Sequence, residues 1–330
     1  MRRLAPLLCL PLLAATACDK FTEAVNDAVE QKVEEVANPS PSGAPGGGAP
    51  PQATEEELAN NKVASYAECL NRSKQRMHDS WARYAERTKE DGTPKRKNQT
   101  PFLYKIESEL DPCKKAVDEG PKMQPSLPDL EAAAKAYYDT GMEVAKYTQE
   151  LDTYYEQENF KDDDWAKAKE IAPKFAAAHD AWIEASTALD KLVSDKQDEL
   201  DLALLALIEK RQGKDIEWHS RSYIVHAKNF LKCVEPEAVN VEACEKHFAA
   251  LEEAEKGFRE VHDGDKEKAG KVFWMSSYQS SVTDYYTEAK KLMREVRGGK
   301  ALKPQMKSEV FDEYNDLVGD YNNLNFRFGS

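Results

Sequence analysis

No stretch of this chain supplies the roughly 20 consecutive apolar residues that a membrane-crossing helix needs. The greasiest internal segment, Asp201 to Glu209, is closed by an acid at each end. Positive charge is scarce: 46 Lys and Arg stand against 60 Asp and Glu, a formal net charge of −14. A chain this acidic repels a phosphate backbone, which argues against a nucleic-acid partner. Alternation of polar and apolar residues never persists beyond four positions, so half-buried strands are not expected. Chemical motifs are missing as well. There is no GxSxG elbow, Walker loop or GxGxxG. The six histidines (His78, His179, His219, His226, His247 and His262) include no HExxH pair, and His219 and His226 lie two helical turns apart rather than one. No catalytic residue, metal site or cofactor is expected, and the chain does not read as an enzyme.

What is present begins with residues 1–17. Arg2 and Arg3 precede an apolar run from Leu4 to Leu13, broken by Pro6 and Pro11. The small residues Ala14, Ala15, Thr16 and Ala17 then lead into Cys18. This is the layout of a bacterial secretory signal ending in a lipobox, which cleaves before the cysteine and acylates its thiol. Cys18 is therefore the expected lipidation site, and the lipid bilayer the expected partner through it. Several acyl chains on one residue would make the attachment stable. Residues 18–53 hold a short amphipathic stretch, with Phe21, Val25, Val29, Val33 and Val36, and then a Pro/Gly-rich run from Pro39 that reads as a flexible linker. The protein is expected in the cell envelope, on the extracytoplasmic side; inner or outer membrane is left open.

Beyond the leader and Cys18, four cysteines remain: Cys69, Cys113, Cys233 and Cys244. An even number in an exported chain reads as two disulfides. Of three possible connectivities, local pairing is the simplest, Cys69–Cys113 and Cys233–Cys244. The spacings match no zinc pattern.

Residues 54–330 read as helical. Thr54 with Glu57 forms a capping box. Leu58, Tyr66, Leu70, Met77, Trp81 and Tyr84 follow at helical steps. The segment Asp91 to Pro128 is rich in loops, with one short helix around Pro112 to Asp118. Leu130 to Glu156 is a second long helix. A further helix follows Asp162, Asp163 and Asp164, whose carboxylates suit its positive dipole end, and runs to Gln212 with Gly213 as its C-cap. Later helices span Ile216 to Leu231, Val241 to Val261, a run from Asp265 to Arg297, and a last one opened by Pro304 that reaches Phe328. The expected fold is all-α, an extended bundle of about six to eight helices.

Three stretches carry a resemblance. They are Tyr154-Tyr155-Glu156-Gln157 running into Phe160-Lys161-Asp162-Asp163-Asp164-Trp165-Ala166-Lys167-Ala168-Lys169, then Tyr314-Asn315-Asp316-Leu317-Val318 with Tyr321-Asn322, and the lipoprotein leader. Together these resemble the YiiG-like bacterial lipoproteins, a family built on a domain of unknown function. The resemblance spans residues 60–328. A glycine often found at the position of Ala168 is absent. The resemblance implies a lipoprotein and carries no activity to transfer.

Three features compete for a site. The acid run Asp162–Asp164 lacks the spacing and glycine turn of a calcium loop and reads as capping. Lys95, Arg96 and Lys97 could touch anionic lipid heads, although a solvated loop is the simpler reading. Tyrosine is abundant, with 14 residues. Adjacent tyrosines on a helix cannot both point inward, so Tyr137, Tyr154, Tyr155, Tyr285 and Tyr286 are candidates for an aromatic groove. The leading functional expectation is a membrane-anchored binding or scaffolding module with an envelope protein partner. The alternative is a lipid-anchored carrier that holds a small ligand between helices.

Overall fold

A computed structural model describes residues 53–96, 101–236, 238–299 and 301–326. The leader, Cys18, the linker, Lys97 and Phe328 lie outside the described residues. Within them the fold is all-α. Ten α-helices follow in order: α1 (Glu55–Arg87), α2 (Asp111–Glu119), α3 (Pro128–Glu156), α4 (Phe160–Asp163), α5 (Ala166–Gln212), α6 (Ile216–Val234), α7 (Val241–Gly264), α8 (Lys266–Ala269), α9 (Met275–Arg297) and α10 (Pro304–Asn323). Two of them, α4 and α8, are single turns of four residues. β-Structure among the described residues amounts to two isolated bridges. The helices form two compact units that divide between Ala203 and Leu204, and each has its own core.

In the first unit α1 starts at the expected capping box. Thr54 Oγ1 accepts from the Glu57 N–H at 3.3 Å, and Glu57 Oε2 accepts from the Thr54 N–H at 2.7 Å. The core draws Tyr66 and Met77 from α1, Tyr137 and Leu151 from α3, and Phe175, Trp182 and Leu189 from α5. The Cys69–Cys113 disulfide ties α1 to α2. Lys62 is buried, and its ammonium donates to Met123 O (3.1 Å), Pro125 O (2.9 Å) and Glu131 Oε1 (2.5 Å). A buried cation is tolerated only with such compensation. The Lys62 hydrogen bond holds the Glu131 carboxyl below its ordinary range, helped by the Leu127 N–H.

The second unit contains α6 to α10. The Cys233–Cys244 disulfide closes the α6–α7 turn. Three buried tyrosines tie α6 to α9 through backbone carbonyls: Tyr223 to Val282 O (2.9 Å), Tyr278 to Ser220 O (2.8 Å) and Tyr285 to Ala227 O (2.7 Å). The Tyr278 and Tyr285 bonds advance seven residues on both helices, so α6 and α9 run in the same direction, two turns per repeat. Each phenol would be costly to bury without its acceptor. Helix α10 joins α9 where Ser277 and Ser281 both donate to Asp320.

Three expectations are corrected here. The helix expected from Asp265 to Arg297 is broken: α8 ends at Ala269 and α9 begins at Met275. Phe273, which the expected Asp265 to Arg297 run would place inside a helix, lies between the two and is 66% exposed. The acid run does not open the long helix directly. Asp162 and Asp163 lie in α4, and Asp164 has a left-handed backbone (φ 50°). Asp163 still performs the capping, since its Oδ2 accepts from the Lys167 N–H at 3.1 Å in the first turn of α5.

Candidate functional site

One face of α3 builds a groove in the first unit. Ala145, Gln149 and Thr153 line it at four-residue steps, with Met142, Lys146, Glu150, Tyr154 and Gln157 on the same stripe. Glu107, Asn159 and Lys167 complete its walls, and the space measures about 490 Å³. The walls carry two cations, two carboxylates and three amide side chains, so charge is balanced and hydrogen-bonding groups are plentiful. Tyr154 is held in place from behind, where its hydroxyl donates to Asp163 Oδ1 at 2.6 Å. Burial and the Asp163 carboxylate push the Tyr154 phenol well above its usual range, while that same bond keeps the Asp163 carboxyl low. Asp163 thus supports the groove wall as well as the helix start.

The five candidate tyrosines divide between the two units. Tyr137, Tyr154 and Tyr155 belong to the first core, while Tyr285 and the half-buried Tyr286 belong to the second. Tyr137 shares a 2.7 Å hydrogen bond with Ser73. Both members of the Tyr154–Tyr155 pair are buried because the chain returns over them. The Lys89–Thr93 turn covers Tyr155, whose hydroxyl donates to Gly92 O at 3.3 Å. Gly92 has φ +78°, and a side chain there would meet Ala168 O. Of the five, Tyr154 lines the α3 groove.

A second cluster was not anticipated from sequence spacing. His78 and Trp81 of α1 meet His179 and Trp182 of α5. The His179 ring stacks on Trp81 at 4.2 Å and 11°, and His78 packs edge-on against Trp182 at 4.9 Å. Burial, reinforced by His78, lowers the His179 pKa to about 4. Burial and then Lys74 lower that of His78. Asp180 Oδ1 lies 3.9 Å from His179 Nδ1. Among the described residues no group of three or more His, Cys, Asp or Glu is arranged to hold a metal ion. The pair reads as aromatic core with two neutral imidazoles. Lys95, from the basic cluster, donates to Ala85 O at 2.7 Å, and Lys97 is outside the described residues.

The third feature is the turn between α8 and α9, where Phe273 and Trp274 stand 66% and 59% exposed between the buried Val272 and Met275. Sequence reasoning missed it because its apolar residues fit a helical stripe. Among the described residues no helix is long and apolar enough to cross a membrane.

An all-α chain with these features matches the family described as "Protein of unknown function (DUF3829)" over residues 57–330, and it belongs to that family. It is also 28% identical over 295 residues to the "Uncharacterized protein YiiG" of Escherichia coli (strain K12), a match that covers 84% of this chain and 82% of that protein. No solved structure matches it.

Proposed function

We propose that this protein is a lipid-anchored, extracytoplasmic binding or scaffolding module that acts by contact rather than catalysis. Cys18 is its anchor, and the α3 groove is its receptor surface. The groove carries the proposal: it is a concave strip whose walls offer Gln149, Thr153, Gln157 and Asn159 as neutral donors and acceptors between balanced charges. Such a lining favours a polar, extended segment of an envelope protein over an apolar ligand, whose burial would leave those groups unpaired. The linker of about 15 residues has an r.m.s. reach of about 20 Å, enough to let the folded units search the space above a membrane.

The test is cross-linking in intact cells followed by pull-down. Gln149→Arg with Thr153→Arg fills the groove from two exposed positions without touching the core. The wild type should capture a defined partner and the double variant should lose it; equal capture by both would contradict the groove. The carrier reading has one observation in its favour, a volume within the range of small-molecule pockets. Native mass spectrometry of the purified chain separates the two, since a carrier would retain a bound small molecule that the double variant lacks.

A further inference from the structure

We infer that the Phe273–Trp274 turn is a second membrane contact, inserting its two aromatic rings into the interface of the bilayer. The turn is built for display. Val272 O accepts from the Met275 N–H at 3.3 Å, which places Phe273 and Trp274 at the two central positions of a tight turn. Val272 and Met275 are buried, so the turn is pinned on both sides while its tip projects. The Phe273 backbone is fixed further by a bridge to Asn325. Trp274 holds a left-handed conformation (φ 65°, ψ 7°) at a position where glycine would sit without strain. A bulky residue kept there, with its ring in solvent, points to a role for the ring outside the fold.

The occupant follows from size and charge. A stable protein interface buries roughly 800 Å² per partner, and a two-residue convex tip covers only part of that. An interfacial insertion needs no more than a ring or two: Trp and Phe bury about 150–250 Å² each, and Trp settles at the headgroup level. The surrounding segment is also electrically suited. Lys266, Lys268 and Lys271 balance Asp263, Asp265 and Glu267, so residues 263–275 are neutral in a chain of net charge −14. Lys266 and Lys271 pair with Asp263 and Glu267 at 4.0 and 3.2 Å on the surface, which costs little to rearrange beside headgroups, and Lys268 reaches the part-buried Asp215 at 3.8 Å. An acidic protein approaches a bilayer most cheaply through such a neutral window. Two rings alone bind weakly; tethering through Cys18 makes the contact intramolecular and raises its effective concentration. To that extent the inference rests on the anchored reading above.

The full chain, purified from membranes and reconstituted into vesicles of zwitterionic phosphatidylcholine brominated at headgroup-proximal chain positions, provides the test. Bromine should quench a fraction of the tryptophan emission in the wild type, and that fraction should be lost in Trp274→Phe, which leaves Trp81, Trp165, Trp182 and Trp218 unchanged. The wild-type quenching should also persist at high salt. Identical quenching in both chains would overturn the inference, as would a photo-cross-linker at position 274 that captures an envelope protein and not lipid. Intact mass reads the anchor separately: an acylated chain without Trp274-dependent quenching sinks the turn alone, while an unacylated chain that still shows it sinks the anchor alone.

Discussion

At the scale of single residues, His179 and Asp163 both lose their protons more readily in the fold, His179 because burial favours its neutral form and Asp163 because hydrogen bonding favours its charged form. His179 is neutral in the fold, with a pKa of about 4, whereas an exposed histidine in the unfolded chain titrates near 6.5. Between those values the unfolded chain takes up a proton that the fold refuses. Stability should therefore fall as pH drops from about 6.5 toward 4 and be insensitive to this group above that window. Thermal melts at stepped pH should show the decline, and His179→Phe, which keeps an aromatic against Trp81, should make it shallower, with the part-buried His78, His219 and His226 supplying the remainder. An unchanged slope would mean that His179 is not buried as described. Asp163 accepts from both Tyr154 and Lys167 N–H, while Asp162 and Asp164 lie to either side of it. Asp163→Ala should lower the melting temperature more than Asp162→Ala or Asp164→Ala. The capping chemistry was legible in three adjacent acids before a helix. Which acid caps was not, because that depends on the left-handed turn at Asp164 and Trp165.

At the scale of elements, the long helices were readable because their apolar residues recur at three- and four-residue steps. Capping residues or prolines mark several of their starts: Thr54, Asp215, Asn240 and Pro304. The local disulfide pairing was readable from parity and spacing, and both pairs join neighbouring helices. On the chain-entropy account the 44-residue separation of Cys69–Cys113 contributes about 4 kcal/mol and the 11-residue separation of Cys233–Cys244 about 3 kcal/mol. Denaturant unfolding of the two Cys→Ser double variants should rank them in that order, and non-reducing peptide mapping should recover these two links and no Cys69–Cys233 species. The α8–α9 break was not readable. Val272, Met275, Tyr278 and Val282 keep helical spacing straight through it, and the bridge that fixes it comes from Asn325, about fifty residues away along the chain. The Tyr154–Tyr155 pair departed from expectation for the same kind of reason. Helical geometry does point Tyr154 and Tyr155 in different directions, but the Gly92 turn supplies a second covering surface that local periodicity cannot report.

At the scale of the whole molecule, the proposed anchor at Cys18 stands beside two surfaces of the folded units. The first unit offers the α3 groove and the second the Phe273–Trp274 turn, each built on helices held by its own buried tyrosines and its own disulfide. In the proposed reading each of the two surfaces meets something outside the chain: the groove a polar protein segment, the turn the bilayer. The proposed attachment would unite them, since tethering raises the local concentration of a weakly binding surface near the membrane. The anchored reading is therefore the central claim, and metabolic labelling with a clickable fatty acid tests it most directly. Cells producing the wild type should yield a labelled chain that begins at Cys18, and Cys18→Ser should carry no label and remain uncleaved before residue 18. Equal label on both chains, or a wild type that carries none, would contradict the account.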